Sequence, residues 1–247
     1  VLGYNSKDDI VYQFWANRDS HEVYYFDPKT DYAPTTAISS ISWDDPNFPN
    51  IEGFGVWAAK CNFTMGPDGK MYSRMLGGNL VRIDVENARG ENLTNGDLVG
   101  TKDGSAYGLV FDPQDENVFY FSNNDKHCIY KYDLRTKECA CWAGQEGKSG
   151  YLDGPIGQAM FNKPGQMCVD SEGNIILTDT ENHCIRKITM STGYVSTLAG
   201  KPQNSGYVNG SAEDAQFKKP LGICIDNDDV MYIGDSENRA IRRLAVE

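Results

Sequence analysis

The feature that most constrains the fold is an internal repeat with an offset of 56 residues. Shifting the sequence by 56 residues places His127 on His183 and Cys128 on Cys184. The same shift places GYLDG (150–154) on GYVNG (206–210), and AMFNKP (159–164) on AQFKKP (215–220). A register of this length indicates that one supersecondary unit is copied in tandem, as in solenoids and propellers.

One copy of the unit reads as four short strands. The segments QMCVD (166–170), IILTD (175–179), CIRKIT (184–189) and YVSTLAG (194–200) are rich in β-branched and apolar residues. Turn segments containing Gly, Asn, Asp or Ser separate them, as is typical of strands joined by hairpins. The unit is therefore predicted to be an antiparallel four-stranded meander.

Weaker copies of the unit occupy the first half of the chain, so that five units begin near residues 1, 61, 106, 164 and 220. Tandem four-stranded units of this length are typical of blades around an axis, because each blade buries its apolar faces on its neighbours. The predicted fold class is all-β, a β-propeller of four-stranded antiparallel blades. A chain of 247 residues can form it as one domain, and we expect a single domain over 1–247.

The repeated segments also carry a family resemblance. The series VSTLAG, GYVNG, AQFKKPLGICID and VMYIGDSENRAIRRL resembles the NHL repeat, with Asn182, His183 and Cys184 at its Asn-His-Leu turn. The resemblance implies six blades in the complete domain. The spacer GYLDG is similar to that of bacterial cell-surface proteins in which an IPT/TIG domain precedes the propeller. It therefore implies a longer chain with an upstream domain, located outside the cell or at its surface.

Charge and hydropathy exclude two classes of partner. The chain has 23 Lys and Arg against 35 Asp and Glu, a net charge of −12, whereas nucleic-acid binding depends on clustered basic residues. No apolar run approaches the roughly 18 residues expected of a membrane span. Nucleic acid and direct membrane insertion are therefore not expected.

The seven cysteines follow the repeat. Cys128 and Cys184 are repeat equivalents, as are Cys168 and Cys224, and this pattern favours small buried hydrophobic residues over a disulfide framework. An odd number of cysteines leaves at least one free thiol.

Two kinds of polar loop are predicted to share one face of the propeller. TENH (180–183) and SENR (236–239) follow second strands, and GYLDG and GYVNG follow fourth strands. In a four-stranded meander, loops after even-numbered strands lie on the same side. The candidate binding residues on this face are Tyr151, Asp153, Asp179, Asn182, Tyr207, Asn209, Asp235 and Asn238.

These polar residues have a structural interpretation as well as a functional one. In the structural interpretation, Asp179 and Asp235 accept N–H groups from the turn that follows, and Asn182 and Asn238 tolerate left-handed geometry. The nearby arginines then pair with the acids. This interpretation is favoured, because a polar cluster that recurs with the blades is first of all an element of the blade.

No metal, cofactor or catalytic residue is expected. His127 and His183 occupy equivalent positions in adjacent blades, too far apart for two ligands that must each approach a zinc ion to about 2.1 Å. The chain contains no Gly-x-Ser-x-Gly, His-Glu-x-x-His or phosphate-binding loop motif.

Three functions remain open at this stage. The first is a non-catalytic module that recognises a protein, peptide or glycan through the loops of one face, for which aromatic and amide side chains are suited. The second is a hydrolase or lyase with carboxylates near the propeller axis, such as Asp179 and Asp235. The third is RNA binding, which the net charge disfavours.

Overall fold

Short strands joined by tight turns organise the chain into consecutive sheets. The structure, a computed structural model, describes residues 2–5, 10–16, 21–38, 42–43, 63–74, 79–94 and 107–245. Strands of these residues form five sheets in chain order. The β-propeller prediction is confirmed, because each sheet contains an antiparallel meander and the first strand of each meander contacts the first strand of the next.

The first sheet runs in the order β1-β2-β3-β4, and the third in the order β10-β11-β12-β13. The second sheet has a short additional strand, β5, which pairs in parallel with the outer strand β9. The prediction of four strands did not include this strand. The strands of these sheets are β1 (Leu2–Asn5), β2 (Ile10–Ala16), β3 (His21–Phe26), β4 (Pro34–Ile38), β5 (Ser42–Trp43), β6 (Phe63–Met65), β7 (Met71–Arg74), β8 (Leu80–Asp84), β9 (Arg89–Asn92), β10 (Leu109–Phe111), β11 (Val118–Asn123), β12 (Cys128–Asp133) and β13 (Cys139–Gly144).

The fourth sheet also gains an edge strand, because β14 pairs antiparallel with β18. The fifth sheet contains three strands among the residues that the structure describes. Their bounds are β14 (Gly154–Pro155), β15 (Pro164–Val169), β16 (Ile175–Asp179), β17 (Cys184–Thr189), β18 (Tyr194–Ala199), β19 (Pro220–Ile225), β20 (Met231–Asp235) and β21 (Ala240–Leu244). Short 3-10 turns cover Pro28–Thr30, Thr180–Asn182 and Ser236–Asn238.

The core lies between blades, which explains why the central strands are apolar on both faces. Successive side chains of a strand point to opposite faces of the sheet. In β16, Ile175 and Leu177 pack against the third sheet, whereas Ile176 packs against the fifth. All three are fully buried. Each blade thus buries its two faces on its two neighbours.

Most of the predicted strand bounds agree with the structure in the copied units. The predicted second and third strands of the fourth blade have the bounds of β16 and β17. The predicted first strand, 166–170, is wrong by two residues at its start, because β15 begins at Pro164. In the first unit the segment TTAISSI (35–41) also predicts a strand, and its residues 39–41 lie outside the described residues.

Candidate functional site

The motif TENH forms the top of the fourth blade, between the second and third strands. Strand β16 ends at Asp179, residues 180–182 form a 3-10 turn, and β17 begins at Cys184. His183 closes the turn in the left-handed region at φ 59°. In the fifth blade Arg239 takes this conformation at φ 53°. Asn182 and Asn238 were expected to tolerate left-handed geometry, but the residue that adopts it is the next one in each blade.

The buried carboxylate of Asp179 is the centre of a polar cluster. Its Oδ1 accepts a hydrogen bond from the backbone N–H of Asn162 at 2.8 Å. Its Oδ2 accepts one from Nδ2 of Asn182 at 2.9 Å and one from Nη1 of Arg186 at 2.7 Å. The predicted bonds from the following turn are wrong, because the backbone donor lies 17 residues earlier in the chain.

Arg186 connects this carboxylate to the loop that precedes the blade. Its guanidinium donates to the carbonyl oxygens of Leu152 at 3.0 Å and Met160 at 3.2 Å, and to Oδ1 of Asp153 at 2.6 Å. It also lies over the ring of Tyr151, 4.8 Å from the centroid. A planar guanidinium with several fixed donors suits such a multiple contact. The predicted pairing of arginine with nearby acids is confirmed here.

Burial and charge act in opposite directions on this ion pair. Burial raises the pKa of Asp179 to about 6, against the effects of Arg186, Asn182 and the N–H of Asn162. Burial also lowers the pKa of Arg186, but the carboxylates of Asp179 and Asp153 more than offset this, and the net shift is upward. Both groups are therefore charged at neutral pH. We call the cluster of Asp179, Asn182 and Arg186 the blade joint.

The fifth blade repeats the joint. Asp235 accepts from the N–H of Lys218 at 2.7 Å, from Asn238 at 2.8 Å and from Arg242 at 2.9 Å. Arg242 also donates to Oδ1 of Asn209 at 2.7 Å, where the fourth blade has a carboxylate. Its guanidinium lies 4.9 Å from the ring centroid of Tyr207. The same 56-residue offset relates these contacts to those of the fourth blade.

The structure divides the eight candidate binding residues into two groups. Asp179, Asn182 and Asp235 are completely buried, so their polar atoms serve the joints. Asn238 is half-buried and donates to the carbonyl oxygen of Gly206. The other four residues lie on the repeated loops above the joints: Tyr151 and Asp153 are half-buried, and Tyr207 and Asn209 are exposed.

The two histidines that follow the repeat are backbone acceptors. Nδ1 of His127 accepts from the N–H of Lys163 at 3.1 Å, and Nδ1 of His183 accepts from the N–H of Lys219 at 3.2 Å. Burial lowers the pKa of His127, and the neighbouring Lys163 lowers it further, against a smaller opposite effect of Asp125. Each histidine thus connects its blade to the loop of the next. Within the described residues, no three His, Cys, Asp or Glu side chains are arranged to hold a metal ion.

On the opposite face, sequence reasoning missed a second recurring contact. The hydroxyl of Tyr120 donates to Asp112 at 2.7 Å, and Tyr72 and Tyr232 make the same bond to the aspartate of their own first turn. The 56-residue offset places Tyr120, Ile176 and Tyr232 in equivalent positions, so the fourth blade has isoleucine there. The aspartate lies four, eight and six residues before its tyrosine in the three copies, so the only signal in the sequence was an aspartate at the first turn followed by a tyrosine in the second strand.

A cleft of about 410 Å³ opens on the face that carries the joints. It lies between the loop of Tyr151 and the loop that follows β18, and we call it the loop cleft. Its lining residues are Tyr151, Thr197, Leu198, Ala199, Gly200, Lys201, Pro202, Asn204 and Glu213. Of the predicted residues, only Tyr151 belongs to this lining. The hydroxyls of Tyr151 and Thr197 are hydrogen-bonded at 2.7 Å, which fixes the ring at the cleft wall.

The residues that the long loop after β18 supplies to the lining were not selected from the sequence, which pointed instead to Tyr207 and Asn209 on the same loop. Lys201, Asn204 and Glu213 lie in a segment that resembles an ordinary connection between blades. Their polarity, together with their position after a fourth strand, was the available signal. Separately, the described residues include no helix with the length and apolar character that a membrane crossing requires.

Comparison with known proteins places these features in context. The profile of the NHL repeat matches residues 161–188. NHL repeat-containing protein 2 of Gallus gallus is 30% identical over 152 residues, which are 61% of this chain and 19% of that protein. The chain spans between 12% and 24% of the length of the curated relatives it matches.

Solved structures from Bacteroides thetaiotaomicron share the fold. A structural genomics protein of unknown function superposes with a TM-score of 0.83 at 24% identity, over 100% of this chain and 58% of that chain. A second structure, described as an auxiliary nutrient binding protein, superposes with a TM-score of 0.74 at 24% identity, over 99% of this chain and 58% of that chain.

Proposed function

Since the chain is an NHL-repeat β-propeller, we propose that it is a non-catalytic recognition module that binds a protein, peptide or glycan through the loops of one face. The observation that carries the proposal is the loop cleft, about 410 Å³ in volume, which lies between two loops held in place by blade joints. Binding sites on rigid scaffolds are commonly formed by such loops.

The joints make the loops suitable for recognition because they fix the backbone beforehand. Arg186 binds two carbonyl oxygens of the loop between β13 and β15, and Arg242 binds the equivalent carbonyls of Val208 and Gln216. A loop that is ordered before binding loses less conformational entropy when the ligand arrives. Buried Asp179, in this proposal, supports the site without touching the ligand.

Exposed apolar side chains at the loop tips supply contact area. Tyr207 is 60% exposed, Leu152 46% and Val208 42%, and all three lie in the repeated GYLDG and GYVNG segments. Aromatic side chains are enriched in recognition surfaces, because they give a large contact area at low entropic cost. The amide groups of Asn204 and Asn209 would supply hydrogen bonds beside them.

Two further observations support a binding role. A Bacteroides protein described as an auxiliary nutrient binding protein has the same fold. The net charge of −12 disfavours a nucleic-acid partner. The proposal also includes a location outside the cell or at its surface, as the resemblance to bacterial surface proteins implies.

The hydrolase or lyase alternative receives no specific support from the two carboxylates it invoked. Asp179 and Asp235 have no exposed surface, and each is bonded to an arginine, at 2.7 Å and 2.9 Å. A catalytic acid or base must be within hydrogen-bond reach of its substrate. The carboxylates of Asp179 and Asp235 are instead hydrogen-bonded within their joints.

The experiment is a binding screen with variants of the loop face. The purified chain is tested on an immobilised glycan array and against a displayed peptide library. For any ligand found, we expect Asn204→Ala and Tyr207→Ala each to weaken binding by about tenfold, the magnitude usual for a central contact residue.

The matched control is Tyr194→Ala. Tyr194 is 47% exposed, but it begins β18, after the turn on the opposite face, so its loss leaves binding unchanged. The proposal fails if neither array nor library yields a ligand. It also fails if binding survives both loop variants and is lost in Tyr194→Ala.

A further inference from the structure

The third blade lacks the arginine of the blade joint, and it carries a second cysteine beside the one that recurs with the 56-residue offset. The 56-residue offset places Tyr130 at the position of Arg186, and Cys141 at the position of Thr197. Cys128, the equivalent of Cys184, begins β12 and is completely buried. The arginine and hydroxyl that hold the loop in the next blade are thus absent from these positions.

The strand register places the two thiols on the same face of the sheet. Cys128 pairs with Gly144, and Tyr130 pairs with Cys141, with an irregularity between them in which Trp142 is the extra residue. Cys128, Tyr130 and Cys141 all pack into the core between the second and third blades. Residues on a common face and diagonal to one another are near neighbours, and a bulge changes their approach.

The two strands lie close together at Cys128, as they do at Cys184 in the fourth blade. A Cβ atom added to Gly144, which has φ of 95°, would lie 3.2 Å from Cα of Cys128 and 3.1 Å from the carbonyl oxygen of His127. Glycine is therefore required opposite this cysteine. Sγ of Cys141 turns back toward the same point, 3.8 Å from the carbonyl oxygen of Gly144.

The two thiols also differ in chemical character. A hydrogen bond between them raises the pKa of Cys128, as does burial, whereas the same bond lowers the pKa of Cys141. Cys141 is half-buried and Cys128 fully buried. The half-buried thiol is the one that a substrate can reach, so Cys141 is the nucleophile of the pair, and its buried partner is the resolving thiol.

We propose that Cys128 and Cys141 are a redox-active dithiol pair that undergoes thiol–disulfide exchange with a disulfide-bearing substrate. The Cys141 thiolate attacks one sulfur of the substrate disulfide, forming a mixed disulfide and releasing the other sulfur as a thiolate. Sγ of Cys128 then loses its proton to that thiolate and attacks Sγ of Cys141, which releases the second substrate sulfur as a thiolate. The protein is oxidised by two electrons, and the substrate disulfide is reduced to two thiols.

This inference is independent of the recognition function, because the pair lies in the third blade and the loop cleft is lined by residues from 151 to 213. It also assigns a role to Cys128, which the repeat pattern predicted to be a small buried hydrophobic residue. Cys139, on the same strand, is the internal comparison, since burial raises its pKa to about 12.

The experiment equilibrates the folded chain in buffers with varied ratios of reduced to oxidised glutathione. After acid quenching and alkylation, mass spectrometry of peptides identifies the linked cysteines. We expect an intramolecular Cys128–Cys141 disulfide, with the loss of two hydrogens, that disappears at a defined potential. Cys141→Ser abolishes it, and Cys139→Ser leaves it unchanged.

A second measurement does not depend on disulfide formation. At pH 7, iodoacetamide reacts faster with Cys141 than with Cys139, because Cys141 has the larger thiolate fraction. Cys128→Ala slows this reaction, whereas Cys128→Ser, which keeps a hydrogen-bond donor, preserves it. The proposal is overturned if glutathione forms only a mixed disulfide with Cys141. It is equally overturned if Cys139 replaces either partner, or if the disulfide appears only in urea.

Discussion

Replacing Arg186 with methionine tests whether the blade joint is an element of stability. Arg186 has no exposed side-chain surface, and neither has Asp179, its partner at 2.7 Å. Removing one member of a buried ion pair leaves the other charge uncompensated, which costs about 3–5 kcal/mol. For a domain of this size, about 2–4 °C of melting temperature is lost per kcal/mol. We expect Arg186→Met to melt about 6–20 °C below the parent.

The pH dependence of this loss identifies its cause. Burial already raises the pKa of Asp179 to about 6 with the arginine present, and removing the cation raises it further. The folded variant then holds a proton that the unfolded chain releases above its ordinary pKa of about 4. The free energy of unfolding of the variant therefore falls as pH rises from the unfolded pKa of Asp179 to its folded pKa. The deficit is largest above neutrality and shrinks toward pH 5.

Arg135→Met is the matched control. Arg135 also contacts two aspartates, Asp115 and Asp133, each at 2.7 Å, but its side chain is 54% exposed. Surface ion pairs contribute about 0–1 kcal/mol. Urea unfolding followed by circular dichroism, from pH 5 to 8, gives both values. Equal losses in the two variants, or a deficit in Arg186→Met that grows on acidification, would refute the reasoning.

Two further predictions concern the other recurring contacts. His127→Asn keeps an acceptor for the N–H of Lys163, so its stability at pH 7.5 stays within about 1 kcal/mol of the parent. Because the fold lowers the pKa of His127, the parent loses stability as pH falls below about 6.5 and the variant loses less; identical pH profiles in urea unfolding would contradict this. Tyr120→Phe removes a 2.7 Å bond to Asp112 and costs about 1.5–3 kcal/mol. Tyr232→Phe removes a 3.3 Å bond from a 39% exposed ring and costs less; thermal melts in which the two losses are equal would count against the explanation.

The strands were predictable from the sequence wherever the repeat fixed both their residue types and their turns. In β16, three consecutive apolar residues, Ile175 to Leu177, are followed by Thr178 and Asp179. A strand buried on both faces requires such a run. Strand β15 was harder, because its first residue is Pro164 and its pairing with β16 is irregular between Pro164 and Met167. A bulge has no distinct signature in a single sequence.

The joint was predicted as a structural element, but its hydrogen-bond partners were not. Asp179 takes its backbone hydrogen bond from Asn162, and Arg186 binds Leu152, 34 residues earlier. These donors and acceptors belong to the loop that precedes the blade, and local rules for Asp and Asn describe only the residues beside them. The hydrogen-bond partners of the joint are therefore neighbours in space and not in sequence, because the propeller places the loop that precedes a blade over that blade.

Differences between copies of the joint are more informative about function than the joint itself. The fourth and fifth blades hold the same aspartate, asparagine and arginine, so these residues carry no information that distinguishes one loop from the other. The two joints differ in the loop side chain that accepts a hydrogen bond from the arginine, which is Asp153 in one blade and Asn209 in the other. In the third blade Tyr130 occupies the position of the arginine, and Cys141 occupies the position of Thr197. A fixed scaffold lets its loops and outer positions vary at little cost in stability. We therefore expect the exposed loop residues to determine binding specificity, and the blade that lacks the joint to carry the thiol chemistry.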